Sequence, residues 1–350
     1  MQGKLSGMTQ RIRDAFHLQA RYCREAGSAL TAEVVAALGD MLDHGTRTGA
    51  RILDWPGDPI ADALPLRIAG GLHALARSGR EELLTRYYTT HDLEAHPILR
   101  QALAKWDDWL SPWLDGPPQT NEVARAGALW PGMLEIARRF GPDMEWIEIG
   151  SSAGLNLNMD RFGYQLGPTR TGDRLSAVQL SPDWAGPSPQ AVPVHVHDRV
   201  GIDLNPLDVS DPVIAERMMA YIWPDQPQRL ARADAAIRVA QANPPPLVKG
   251  DACLLLAPLL AEPQAEGRTR VIFHSIVLQY FPPDARAQVK DMIEAAGARS
   301  DAARPLAWLS MEFPAQVTEA RLTLRSWPGD GAETVLATVH PHGASVNWVA

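Results

Sequence analysis

The segment EIGSSAGLNL, Glu148 to Leu157, carries the densest chemistry in the chain. It stands where a short apolar run, EWIEIG, gives way to a polar, more helical stretch. In an open α/β sheet the first such strand-to-helix crossover is where nucleotide-like ligands lie. Gly150 and Gly154 let the backbone turn tightly and approach a ligand. The N–H groups of a following helix then face a polar or anionic part of it. Two more acids end apolar runs, Asp203 in GIDLNP and Asp251 in LVKGDA. A carboxylate at such a tip can accept both hydrogen bonds of a ribose diol. His274 and Ser275 follow the apolar core of a fourth run, VIFHS, and Gln279 and Tyr280 come shortly after. Histidine can take a proton from an oxygen or nitrogen nucleophile near neutral pH, and Gln279 and Tyr280 would then orient the acceptor. Each residue also has a plainer reading. The glycines suit a ligand-free turn, the aspartates suit helix N-caps, and His274 and Tyr280 suit a strand end and the core.

The glycine spacing separates two ligand classes. A dinucleotide site reads G-x-G-x-x-G with an acid about 20 residues later. Here the spacing is G-x-x-x-G, and the next strand-end acid, Asp203, lies 49 residues beyond Gly154. The fit to a nicotinamide dinucleotide is poor. The E-x-G-x-x-x-G pattern resembles the S-adenosylmethionine loop of class I methyltransferases. That resemblance implies that Glu148 organises the methionine end of the cofactor, while Gly150, Ser151, Ser152, Gly154 and Asn156 pass beneath it. It implies that Asp203 and Asn205 hold the ribose, and that Asp251 and Ala252 meet the adenine. It also turns the fourth strand tip, with His274 as base, toward the transferable methyl group.

These residues need a sheet to position them. From about residue 144, apolar runs alternate with helical stretches. The runs are EWIEIG, RVGIDL, LVKGDA, VIF and PLAWLSMEF, and RLTLRSWPG and ETVLATVHPHG then close as an antiparallel pair around Gly329, Asp330 and Gly331. Alternation of this kind predicts βαβ units and a mostly parallel, Rossmann-like sheet of the methyltransferase type, with an antiparallel C-terminal hairpin. Residues 163–200 are rich in Gly, Pro, Ser and Asp and read as an insertion over the sheet edge or the site. Residues 1–140 read as helical, with Thr31 as an N-cap and Gly45 as a stop around TAEVVAALGDMLDHG, and with Thr120 or Asn121 capping a helix that Pro142 closes. This helical region would form a lid, and 141–350 the cofactor domain.

The segments QTNEV (119–123), EIGSSAGLNLNMDRF (148–162), GIDLNPLDV (201–209), WPDQPQRLAR (223–232), FHSIVLQYFP (273–282), PLAWLSME (305–312) and HPHG (340–343) resemble the bacterial DUF2332 family over most of the chain. The resemblance implies a methyltransferase-like fold and supplies no activity. Within these segments Asn121 and Glu122 either cap the next helix or reach the ligands. Trp223 either sits in a turn or stacks on an acceptor. His195 with His197, and His340 with His342, are spaced so that each pair shares one side of an extended chain. Nothing in the sequence joins the two pairs, so no metal is expected, and HPHG reads as a turn.

Composition narrows the classes further. The formal charge of −8 argues against a nucleic-acid backbone binder. No apolar run reaches the roughly 18 residues of a membrane helix. The opening MQGKLSGMTQRIRDAF has no apolar stretch, so no secretory signal is expected. Two cysteines are too few for a disulfide framework and suit a reducing cytoplasm. The expectation is therefore a cytoplasmic S-adenosylmethionine-dependent transferase acting on a small oxygen or nitrogen acceptor. The alternative is a non-catalytic binder of the same fold.

Overall fold

Apolar residues at helical spacing build the first part of the chain, and period-two runs build the second. A computed structural model describes residues 2–314, 317 and 319–350. It divides into two compact units, Met1–Thr120 with Asp211–Ala231, and Asn121–Ser210 with Arg232–Ala350. The boundary thus falls near 120 rather than 140, and the segment 211–231 belongs with the N-terminal helices. Its helix Pro212–Ala220 supplies buried Ala220, which clusters with Ala74 and Trp113 of that unit.

In the helical unit, Ile12, Phe16, Val35, Leu38, Ile52, Ile68, Leu72 and Leu99 are fully buried in one core. The helix Ala29–Met41 is capped by Ser28, not Thr31. The Ser28 hydroxyl accepts from the Thr31 N–H and donates to Asp225 Oδ1 at 2.5 Å, while Asp225 Oδ2 accepts from the Leu30 N–H. Thr31 is already inside the first turn and buried, so it cannot serve as the cap. The helix stops at Met41, ahead of Gly45.

The second unit is mixed α/β. Its strands are β1 (Asp143–Ile149), β2 (Gly163–Leu166), β3 (Thr169–Gly172), β4 (Gln179–Leu180), β5 (Asp183–Ala185), β6 (His195–Asp203), β7 (Leu247–Lys249), β8 (Thr269–Ser275), β9 (Leu306–Glu312), β10 (Ala320–Trp327), β11 (Thr334–Val339) and β12 (Ser345–Trp348). Nine of them form one mostly parallel sheet in the order β5-β12-β11-β10-β9-β8-β1-β6-β7. The five parallel strands run β7, β6, β1, β8, β9, so the chain winds outward from β1 on one side and returns to the other with β8. That reversal puts a topological switch point at the carboxyl ends of β1 and β8.

Both faces of β1 are covered, so every residue from Trp146 to Ile149 is buried, Glu148 included. Ile147 and Ile149 share a core with Ile202 and Ile272, packed by Leu256 of the helix Ala252–Ala261 and Val289 and Ile293 of the helix Pro283–Gly297. Side chains alternate along a strand, so Trp146 and Glu148 face the other way, where Trp146 meets Phe273 edge-on. The C-terminal pair expected from sequence is a three-strand antiparallel run, because Ser345–Trp348 adds β12 beyond β11. The insertion 163–200 folds as a three-stranded sheet, β3-β2-β4, and then lends β5 to the edge of the large sheet beside β12.

Candidate functional site

The glycine loop continues the β1 ladder before it bends. The Gly150 and Ser151 N–H groups both donate to the Ile202 carbonyl, at 2.8 and 3.2 Å. Gly150, Ser152 and Gly154 then adopt left-handed backbone, with φ of 70, 52 and 66°. Ser152 is not a glycine, and that conformation is held from outside. Its N–H donates to Asp203 Oδ2 at 2.8 Å, and its carbonyl accepts from the Leu207 N–H. Asp203 Oδ1 takes the Asn205 N–H at 2.8 Å. Asp203 at the β6 tip thus clamps the β1 loop, and each carboxylate oxygen retains a second acceptor site.

The glycines answer to protein packing. A Cβ on Gly150 would lie 2.2 Å from Val277, and one on Gly154 would lie 2.7 Å from Pro245 and 2.9 Å from Leu247. Both positions need glycine for close contact with neighbouring side chains, so they are no evidence for a ligand. The helix expected after the loop is a 3₁₀ stretch, Leu155–Arg161, entered through the left-handed Gly154. Asp160, on this stretch, is gripped by Arg199 of β6 at 2.7 Å.

Buried polar atoms without a partner concentrate at the same loop. Glu148, Ser151 and Asn156 are 2%, 0% and 1% exposed, and Glu148 Oε2, Ser151 Oγ, Ser152 Oγ and Asn156 Oδ1 make no hydrogen bond. Native interiors leave few such groups, and each calls for a functional or structural reason. Burial holds the Glu148 carboxyl well above the usual carboxylate range; the Asp203 charge adds to this and the Arg125 guanidinium opposes it.

The remaining sequence candidates separate. Asp251 caps the helix Ala252–Ala261, accepting from the Cys253 N–H at 2.8 Å, and Ala252 is buried as that helix's first residue. His274 is fully buried. Its Nδ1 lies 2.7 Å from Glu312 Oε1, and its Nε2 accepts from Trp308 Nε1 at 2.9 Å. A Trp N–H only donates, so the ring is the Nδ1–H tautomer with both nitrogens engaged. His274 therefore ties β8 to β9 and has no nitrogen left for a substrate proton. Tyr280 is 76% exposed on the short 3₁₀ turn Leu278–Tyr280, and Gln279 beside it is exposed. Tyr280 is thus neither core nor held. Trp223 belongs to the helical unit, half-buried in the turn before the helix Pro227–Ala242.

The structure joins motifs that lie far apart in the chain. Asn121, left-handed at φ 40°, accepts the Leu155 N–H on Oδ1 at 2.9 Å. Glu122, 5% exposed, accepts the Ala124 N–H and lies 3.6 Å from Arg232 and 3.9 Å from His342 Nδ1. Arg125 donates to the Ser275 carbonyl at the β8 tip and to the Pro341 carbonyl. A Cβ on Gly343 would lie 2.3 Å from the Ala124 carbonyl oxygen, so the HPHG turn and the 122–125 turn touch backbone to backbone. Next to Ser275, Ile276 is left-handed at φ 53°. A β-branched residue in that region is strained, and such strain gathers at functional sites. Glu312 Oε1 holds the following turn through the Val277 and Leu278 N–H groups. Arg125, Arg232, Glu312 and His342 carry no local signature that marks them as neighbours of the glycine loop.

His195 and His197 both face Asp143, at 3.4 and 2.6 Å, whereas the His340 and His342 rings lie 5.8 Å apart and tilted by 48°. Among the described residues no group of three or more His, Cys, Asp or Glu side chains is placed to hold a metal. No helix among them is long and apolar enough to cross a membrane.

A family profile described as "Uncharacterized protein conserved in bacteria (DUF2332)" matches residues 13–348, and the chain belongs to that family. No curated protein matches the chain, and no solved structure does.

Proposed function

We propose that this member of the DUF2332 family binds S-adenosylmethionine at the carboxyl ends of β1, β6 and β7 and transfers its methyl group to a small oxygen or nitrogen acceptor. The observation that carries the reading is Glu148. A carboxyl group buried at the switch point, with an oxygen that bonds to nothing in the chain, fits the amino end of a methionine moiety. Asp203 and Asp251 on the adjacent tips extend the same edge with two more acids. When bound, the cofactor supplies an activated methyl group for in-line displacement. The chain's task is then chiefly orientation, which can supply most of the rate gain for such a step. Asp203 keeps Ser152 left-handed and retains lone pairs for a diol. Gln279 and Tyr280, exposed beyond β8, are available to an acceptor. His274 is excluded as the base by its own two hydrogen bonds.

One observation favours a second reading, a non-catalytic binder of the same ligand: both nitrogens of His274, the residue expected as base, are engaged by Glu312 and Trp308. Isothermal calorimetry tests the first step. Saturable heat with S-adenosylmethionine and S-adenosylhomocysteine, lost in Asp203→Ala, is expected. Absence of heat with either ligand refutes both readings. Binding without turnover across an acceptor panel leaves only the second.

A further inference from the structure

We propose that the helical unit carries a ligand site of its own, independent of the transferase reading, that takes a planar aromatic carboxylate. The site is a cavity of about 490 Å³, within the range of about 300–1,000 Å³ usual for small-molecule pockets. Three stretches of the chain meet around it. They are the end of the helix Leu64–Arg77 with the turn after it, the segment 108–113, and the first turns of the helix Pro212–Ala220. Trp109, Pro112, Trp113 and Val213 supply apolar lining. Val213 is 71% exposed, a β-branched apolar side chain left to solvent at the cavity. The Trp109 and Trp113 ring centroids lie 5.7 Å apart with the planes tilted by 47°, so the two indoles are not stacked face to face. Trp109, only half-buried, therefore keeps ring surface for a further flat group.

The charges lining the cavity do not balance. Its two acids are already matched: Glu216 accepts from Arg77 through both oxygens, at 2.6 and 3.1 Å, and Asp108 lies 3.2 Å from Arg47. Its two arginines, Arg80 and Arg217, pair with no carboxylate among the described residues. Arg217 is nonetheless held in place. Its guanidinium carbon lies 4.4 Å from the Trp113 ring centroid, and its Nη2 donates to the Trp113 carbonyl at 3.3 Å and to the Tyr221 hydroxyl at 3.1 Å. A guanidinium stacked on a ring and fixed through one nitrogen keeps donors on its other nitrogens and loses little freedom when it meets a carboxylate. The complement of this cavity is an anion, although the chain as a whole has a formal charge of −8.

A flat ring bearing one carboxylate meets each of these features. The ring takes the apolar lining of Trp109 and Val213, the carboxylate takes Arg217, and Arg80 adds a second positive charge. An amine on the same ring would face two unpaired guanidinium groups, and like charges brought together are costly. A saturated chain would forgo the stacking that an aromatic ring gains on indole.

Equilibrium dialysis of the full chain with 2-naphthoate tests the site. Saturable binding with a Kd below about 1 mM is expected, with 2-naphthylmethylamine, the cationic counterpart, weaker by about tenfold or more. Arg217→Gln should weaken naphthoate binding about tenfold, the effect of losing a charge-assisted hydrogen bond. Should that variant fail to fold, Val213→Glu changes an exposed position, sets a carboxylate at the cavity and should weaken binding at least as much. No naphthoate bound up to about 1 mM overturns the proposal. Equal affinity for the amine, or unchanged affinity in whichever of the two variants folds, overturns it as well. Octanoate bound as tightly as naphthoate overturns the assignment of an aromatic ligand.

Discussion

Glu81 in the helical unit and Glu148 in the sheet unit are the same residue type at nearly the same burial, 5% and 2% exposed. They are held in opposite states. Glu81 receives Lys105 at 2.7 Å, Trp106 Nε1 at 2.9 Å and Gln101 at 3.2 Å. Those donors, Lys105 first, draw its carboxyl below the usual range. Glu148 has an oxygen with no donor, and burial pushes it the other way. A buried acid with three donors is a structural element that joins neighbouring helices. A buried acid with an unmatched oxygen costs stability, and native interiors keep few such groups. The same contrast holds more widely. The helical unit matches Ser28 to Asp225, Arg67 to the Leu114 carbonyl and His73 to the Ala220 carbonyl. In the sheet unit Glu148, Ser151, Ser152 and Asn156 leave unmatched atoms at one loop, and Thr269 Oγ1 is a further one at the start of β8.

The comparison breaks first if the helical unit proves insensitive to acid. His73 is buried, its Nδ1 donates to the Ala220 carbonyl at 2.9 Å, and burial pushes its pKa down to about 4. Its folded value lies below the unfolded one, so the unfolded chain binds the extra proton. The stability it contributes is complete above about pH 6.5 and is lost progressively as pH falls toward 4, by about 3 kcal/mol in all. Urea midpoints measured at pH 7 and pH 4.5 should show this loss in the wild type. His73→Asn, which keeps a donor for Ala220 and removes the titration, should show a smaller one. Equal slopes would mean that His73 is not held neutral.

A smaller effect comes from Glu81 itself. Glu81→Ala removes the acceptor of three hydrogen bonds and should lower stability by about 2 kcal/mol at neutral pH. Because the folded pKa is depressed, that contribution is present above the unfolded carboxylate value and disappears as pH falls through the folded one. The wild type and variant should therefore converge in acid. A variant as stable as the wild type at pH 7 would remove Glu81 as the structural half of the contrast.

The two units also differ in how much the sequence disclosed. The strand tips were legible because these short runs of branched and aromatic residues end in glycine or acid, and β1, β7 and β9 lie where EWIEIG, LVKGDA and PLAWLSMEF put them. Local turn chemistry was legible at Asp251, whose N-cap role needs only the next two residues. The part that could not be read is the part made by long-range closure. His274 looks like a free base until Trp308 and Glu312, 34 and 38 residues later, occupy both of its nitrogens across β9. His342 looks like a turn residue until the chain end returns to the 122–125 turn. The segment 211–231 has an ordinary amphipathic pattern, and only its tertiary contacts assign it to the N-terminal helices. Periodicity reports which face of an element is buried but is silent on what buries it.

The subtlest prediction, about 1 kcal/mol, has the sign that decides the comparison. Glu148→Gln keeps the shape of the side chain and removes an ionisable group whose charged form is penalised by burial and by Asp203. The wild-type folded pKa lies above the unfolded one, so wild-type stability declines as pH rises from the unfolded value through the folded one. The glutamine variant lacks that decline and should be the more stable protein by about 1 kcal/mol at pH 8, with a flatter profile in urea melts between pH 5 and 8. Substitution of a buried residue usually destabilises. A gain here, coupled with loss of S-adenosylmethionine heat, would identify Glu148 as a group kept at the expense of stability. A loss of stability with ligand binding intact would make it structural, like Glu81, and the carboxyl end of β1 would no longer stand apart from the rest of the molecule.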